Sequence, residues 1–121
     1  MRYVCLIYFD PKKVFNESPE AKAVLGAAGA YDAELKASGH MVMAQALTLP
    51  HEAVTVQVRD GKMSATDGPF METKEMLGGF ILVEAHDLNE AVRIAAGIPL
   101  AKLGSIEVRP IVDFSKPRPR L

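Results

Sequence analysis

Residues 3–9 (Tyr3-Val4-Cys5-Leu6-Ile7-Tyr8-Phe9) and 80–83 (Phe80-Ile81-Leu82-Val83) are apolar at every position. Both runs are short and rich in β-branched and aromatic side chains, the mark of a strand. A strand sends successive side chains to opposite faces, so a strand without polar positions must be covered on both. Two such strands place a sheet at the centre of the fold and demand something on each side of it. With 121 residues, 49% of them apolar, the chain has length and oil enough for one domain with a sizeable core.

The rest of the chain supplies cover for one side. Asp10-Pro11 ends the first run, and the segment to residue 17 reads as a charged loop. Ser18-Pro19 is a helix start, with Ser as N-cap and Pro at the first helical position, where no donor is lost. Val24, Ala28, Tyr31 and Leu35 then recur at helical spacing and form one apolar stripe. Gly26 and Gly29 cost about 1 kcal/mol each inside a helix, which suggests close approach by a strand or a second chain. Ser38-Gly39 stops the helix.

Residues 41–49 read as a second strand, ended by Pro50. Residues 54–59 alternate strictly, Asp60-Gly61 is a two-residue turn, and residues 62–66 return. That register pairs Val58 with Met63 and Val56 with Ala65 on a dry face. It pairs Gln57 with Ser64 and Thr55 with Thr66 on a wet one. The hairpin is expected to extend or cap the sheet, and it delivers Asp67. After residues 80–83, Asp87 and Glu90 form a capping-box pattern. Ala91, Ile94 and Ala95 give that helix its inner stripe, and Gly97 and Pro99 end it. Residues 106–112 form a last strand, which Pro110 confines to an edge.

With the hairpin set aside, the order is strand, helix, strand, strand, helix, strand: an α+β, ferredoxin-like βαββαβ fold. Right-handed crossovers put both helices on one sheet face. The other face then exposes more apolar surface than soluble monomers carry, and a second copy related by a two-fold axis would cover it. The expected assembly is a homodimer of the dimeric α/β-barrel type.

The stretch from Asp67 to Phe80, DGPFMETKEMLGGF, concentrates a turn, four ionisable side chains and a double glycine. It reads equally as a solvated turn leading into a buried strand or as the lip of a ligand pocket. Asp67-Gly68-Pro69-Phe70, Glu72-Thr73-Lys74-Glu75 and Leu77-Gly78-Gly79-Phe80 resemble the signature of the DGPF branch of the YCII-related (YciI-like) proteins. The resemblance reaches outward to residues 3–10, Arg59-Asp60-Gly61-Lys62, Asp87 with Ala91, and Val108-Arg109-Pro110. It implies a single YCII-related domain over residues 1–115, with residues 116–121 a basic, Pro-rich tail. It also implies sheet-to-sheet dimerisation, a biochemical role mostly unassigned, and for some relatives an association with RNA polymerase sigma factors.

The wider group is similar in a His–Asp pair, the aspartate at the end of the first strand and the histidine in the middle of the first helix. Asp10 matches the aspartate. Residues 27–31 hold no histidine, so chemistry assigned to that pair does not transfer intact. The remaining candidates come from the residues themselves. Asp10 or Asp67 is a candidate base, and His51, beside the hairpin base, a candidate partner for acid/base work. Lys74 is placed to hold an anionic group, and Arg59, Glu72 and Glu75 to bind substrate or fix the loop. His40 and His86 read as surface or capping residues. The three histidines have no metal-ligand spacing, and no phosphate loop, nucleotide fingerprint or nucleophile elbow is present.

A net charge of −1 argues against direct binding of nucleic acid. Cys5, the one cysteine, reads as a core residue. No run approaches membrane-spanning length, and the apolar start is too short for a secretory signal, so a cytoplasmic protein is expected. Three functions fit: an enzyme that binds or converts a small polar metabolite without a cofactor, a non-catalytic regulatory module such as a sigma-factor partner, or a structural dimer.

Overall fold

The computed structural model describes residues 1–117. Strand β1 (Arg2–Phe9) lies at the centre of a four-stranded antiparallel sheet, flanked by β5 (Met76–Glu84) and β6 (Gly104–Pro110). Strand β2 (Met41–Ala46) closes the far edge beside β5, giving the order β2-β5-β1-β6. Both fully apolar runs are therefore interior strands, and Pro110 ends an edge strand where its missing donor costs nothing. Helix α2 (Pro19–Ala37) and helix α3 (Leu88–Gly97) cover the same sheet face. Their Leu35, Ala91, Ile94 and Ala95 pack on Tyr3, Cys5, Ile7, Phe9, Ile81 and Val83. The Ser18 hydroxyl accepts from the Ala21 N–H, and Asp87 accepts from the Glu90 N–H, so both caps form as the sequence suggests. Among the described residues no helix is long and apolar enough to cross a membrane.

Several local expectations are corrected. The segment after Asp10 is a loop only over residues 15–17: Pro11–Val14 make a short helix, α1, whose Val14 is buried. Strand β2 stops at Ala46 rather than Leu49, after which the Leu47 N–H makes one more bond to β5, at the Gly78 carbonyl. The last strand ends at Pro110 rather than Val112. Among the described residues nothing lies within 4 Å of a would-be Cβ on Gly26 or Gly29, so no described strand approaches them. The basic tail lies mostly outside the described residues.

The double glycine has a clear mechanical cause. Ile7 pairs with Gly79 and Tyr8 with Leu77, so Gly78 is the extra residue of a β-bulge. A Cβ on Gly78 would sit 2.1 Å from the Phe9 ring, and one on Gly79 would sit 2.7 Å from the Gln45 carbonyl oxygen. The bulge shifts the in–out alternation of β5, so Met76 and Ile81 both reach the core.

The hairpin is β3 (Val54–Arg59) and β4 (Lys62–Asp67), in the expected register, turned by Asp60 and Gly61 at positive φ. It neither extends the main sheet nor buries its dry face. It is a separate two-stranded sheet, and Val54, Val56, Val58 and Met63 are 58–68% exposed. On the open face of the main sheet Val4, Leu6, Tyr8, Phe80 and Leu82 are half-buried, and Val42 and Met43 of β2 are exposed.

Candidate functional site

The site begins with the closure of the hairpin. Val54 pairs with Asp67, the Gly68 N–H donates to the Ala53 carbonyl at 2.7 Å, and the Thr55 hydroxyl donates to the Gly68 carbonyl at 2.9 Å. Gly68 has φ +103°, a conformation that favours glycine. These bonds clamp the chain entering the hairpin against the chain leaving it. His51 stands in a single 3₁₀ turn, Pro50–Glu52, on the entering side, and Asp67 ends β4 on the leaving side.

Both side chains line one cavity of about 500 Å³. Pro11, Pro50, Gly68, Pro69, Met71, Glu72, Thr73 and Met76 complete its wall. A volume of that size suits a small molecule. The lining combines an imidazole, two carboxylates, a threonine hydroxyl and apolar surface from prolines and methionines. An imidazole and a carboxylate facing one cavity can give and take a proton.

The other candidates separate. Asp10 is buried at 6% exposure and caps α1, its Oδ1 accepting from the Lys12 N–H at 3.0 Å. Its neighbour Pro11 lines the cavity, but Asp10 itself does not. Arg59 is at the hairpin tip beside Lys62, at the end opposite Asp67, and donates to the Val58 carbonyl at 3.1 Å. An Arg59–Asp67 pair is therefore excluded by the register of the hairpin that joins them. Lys74 is exposed, lines neither cavity at the loop and forms no ion pair among the described residues. Glu75 does not line the His51 cavity but a second groove of about 990 Å³, where its Oε1 accepts from the Ser105 hydroxyl at 2.8 Å.

That groove opens on the free sheet face and exposes residues that sequence reasoning passed over: Tyr8, Ser105 and Glu107. Ser105 and Tyr8 are register partners across β1 and β6. Their only trace in the sequence is a phenol interrupting an otherwise oily run; strand pairing between residues far apart in the chain brings them together. The two cavities share Pro50, Pro69, Met71, Thr73 and Met76, so the central loop is a wall between them.

Other polar groups have structural duties. His40 places Nδ1 2.7 Å from the Ser38 hydroxyl and Nε2 3.3 Å from Glu90 Oε1. The His86 N–H donates to the same Glu90 oxygen, so the capping box reaches one residue further back than its cap. Burial pushes the Cys5 thiol up to about 11, which keeps it protonated and inert. Among the described residues no group of three or more His, Cys, Asp and Glu side chains is arranged to hold a metal ion.

The profile of the YCII-related domain matches residues 1–115. The chain belongs to the YCII-related family. An uncharacterised protein of Rhizobium meliloti (strain 1021) is 41% identical over 64 residues, covering 51% of this chain. That alignment spans about half the length of the relative, 52%. Among solved structures, the 5-chloro-2-hydroxyhydroquinone dehydrochlorinase TftG from Burkholderia phenoliruptrix AC1100, in complex with 2,5-dihydroxybenzoquinone, superposes with a TM-score of 0.55. The match covers 93% of this chain and 94% of TftG at 18% identity, a likeness of fold.

Proposed function

We propose that this DGPF-branch protein binds a small polar molecule in the cavity at the hairpin base and moves a proton on it. His51 and Asp67 act as the acid/base pair, Glu72 and Thr73 orient the ligand, and no cofactor is called on. The observation that carries this reading is that His51 and Asp67, sixteen positions apart in the sequence, line one cavity of about 500 Å³. The structural neighbour is named as an enzyme acting on a small hydroxylated ring, a ligand that a cavity of this size accommodates. Asp10 serves the site indirectly, by fixing the helical turn that carries Pro11. The working unit is a homodimer, its open sheet faces packed together over Val4, Leu6, Phe80 and Leu82.

Thermal-shift screening of a panel of small hydroxylated rings and carboxylic acids tests the site. A ligand that raises the Tm of the wild type should leave His51→Gln and Asp67→Asn unshifted, with both variants folding as stably as the wild type. Removal of an acid/base group should lower turnover about 10²–10⁴-fold. If both variants melt early and no compound shifts the wild type, the loop is purely structural.

One observation favours a second reading, a non-catalytic interaction module such as a sigma-factor partner: the exposed apolar face of the hairpin, Val54, Val56, Val58 and Met63. In that case Val56→Lys with Met63→Lys abolishes complex formation with a purified sigma factor and leaves any ligand-induced Tm shift intact. Absence of a complex with the wild type contradicts it.

A further inference from the structure

We propose that the 990 Å³ groove on the sheet side of the central loop is a second ligand site, one that takes a protonated amine carried on an apolar or aromatic body. The groove stands on its own observations and does not require the His51 cavity to be catalytic. Its walls are Leu47, Leu49, Phe70 and Leu77, which supply apolar surface for a ring or alkyl chain. Its polar end is built from Tyr8, Glu75, Ser105 and Glu107. Among the described residues no lysine, arginine or histidine lines it, and the charged groups that do are carboxylates.

Glu75 is held ready. The Ser105 hydroxyl fixes one carboxylate oxygen at 2.8 Å, and the Thr73 hydroxyl donates to the Glu75 carbonyl, so loop and edge strand set the carboxylate's direction before a ligand arrives. The second oxygen is left to accept from an ammonium group. Glu107, on the same strand face as Ser105, lies 3.9 Å from the Arg109 guanidinium and contributes a second acceptor partly engaged elsewhere. The primary recognition therefore falls to Glu75. Tyr8 lies on β1 between Leu77 of β5 and Ser105 of β6, at the end of the open face beyond Leu6 and Val4. A second sheet packed over Val4, Leu6, Phe80 and Leu82 would leave this end as the mouth of the groove.

Calorimetric titration with 2-phenylethylamine, 2-phenylethanol and phenylacetate, which share a ring and differ at the head group, tests the proposal. The amine should bind at least tenfold more tightly than the alcohol, and the acid should not bind. Glu75→Gln keeps an acceptor for Ser105 while removing the charge, and should weaken the amine at least tenfold with an unchanged Tm. Glu107→Gln, which cannot disturb the Ser105 contact, should weaken it less. His51→Gln should leave amine binding within twofold of wild type. Equal binding of the three probes, or no binding of the amine, overturns the proposal. So does loss of amine binding in His51→Gln with retention in Glu75→Gln, which would place the amine in the other cavity and leave the reading of that cavity standing.

Discussion

Asp10 shows how one carboxylate is read differently once its surroundings are known. At the end of an oily strand it has the look of a catalytic base; in the fold it is buried and caps a four-residue helix. Asp10→Ala should cost about 0.5–2 kcal/mol, the usual range for a lost N-cap. Asp10→Asn, which keeps an acceptor, should cost a fraction of that, and urea denaturation measures both. Other carboxylates set the acid response. Hydrogen bonds from Arg2, and then from the N-terminal ammonium, hold Glu84 below its ordinary value of 4.5. The His86 N–H, and then the charges of His86 and His40, hold Glu90 down in the same way. A carboxylate depressed in the folded state stabilises it fully above the unfolded value. That stabilisation is lost as pH falls through the folded value. Stability should therefore decline on acidification below about 4.5, and Glu84→Gln with Glu90→Gln should flatten that decline. Both groups are partly exposed, so 1 M salt should flatten it in part as well.

Elements differ in how completely their sequences announce them. Helix α2 was legible from its cap, its proline and its stripe, and the hairpin from strict alternation around Asp60-Gly61. Both readings use residues adjacent in the chain. Short helix α1 was hidden because four residues carry no period. That the hairpin's apolar face stays exposed was equally hidden, since alternation specifies a dry face without naming its cover. Glycines divide along the same line. Gly26 and Gly29 look meaningful in a helix yet touch nothing, whereas the double glycine in β5 is enforced by Phe9 and Gln45. Gly26→Ala and Gly29→Ala should each stabilise by about 0.5–1 kcal/mol. Gly78→Ala and Gly79→Ala should each destabilise by about 1–3 kcal/mol, the cost of forcing atoms into a packed region. Thermal melts of the four variants separate the two classes by sign.

At the scale of the molecule, the interior place of β1 and β5 was already implied by two runs without polar positions, and the helix-covered face by right-handed crossovers. The site was legible in part. Its loop, His51 and the pairing of Val54 with Asp67 follow from the sequence pattern, but the bonds of Gly68 to Ala53 and Thr55 that clamp the hairpin base, and the approach of Pro11 to the cavity, do not. The same pairing sends Arg59 to the far end. Placing a charge on the uncovered face, as in Leu82→Arg, should convert a sedimenting dimer into a monomer of 13.1 kDa that remains folded. A monomeric wild type at all concentrations would remove that part of the account. The functional claim is tested most directly by mapping backbone amide shifts as a hydroxylated ring or carboxylic acid that raises the Tm is titrated into the protein. Shifts gathered at His51, Asp67, Gly68, Glu72 and Thr73 are the predicted result. A bound ligand that leaves those amides unmoved and shifts a different surface would contradict it.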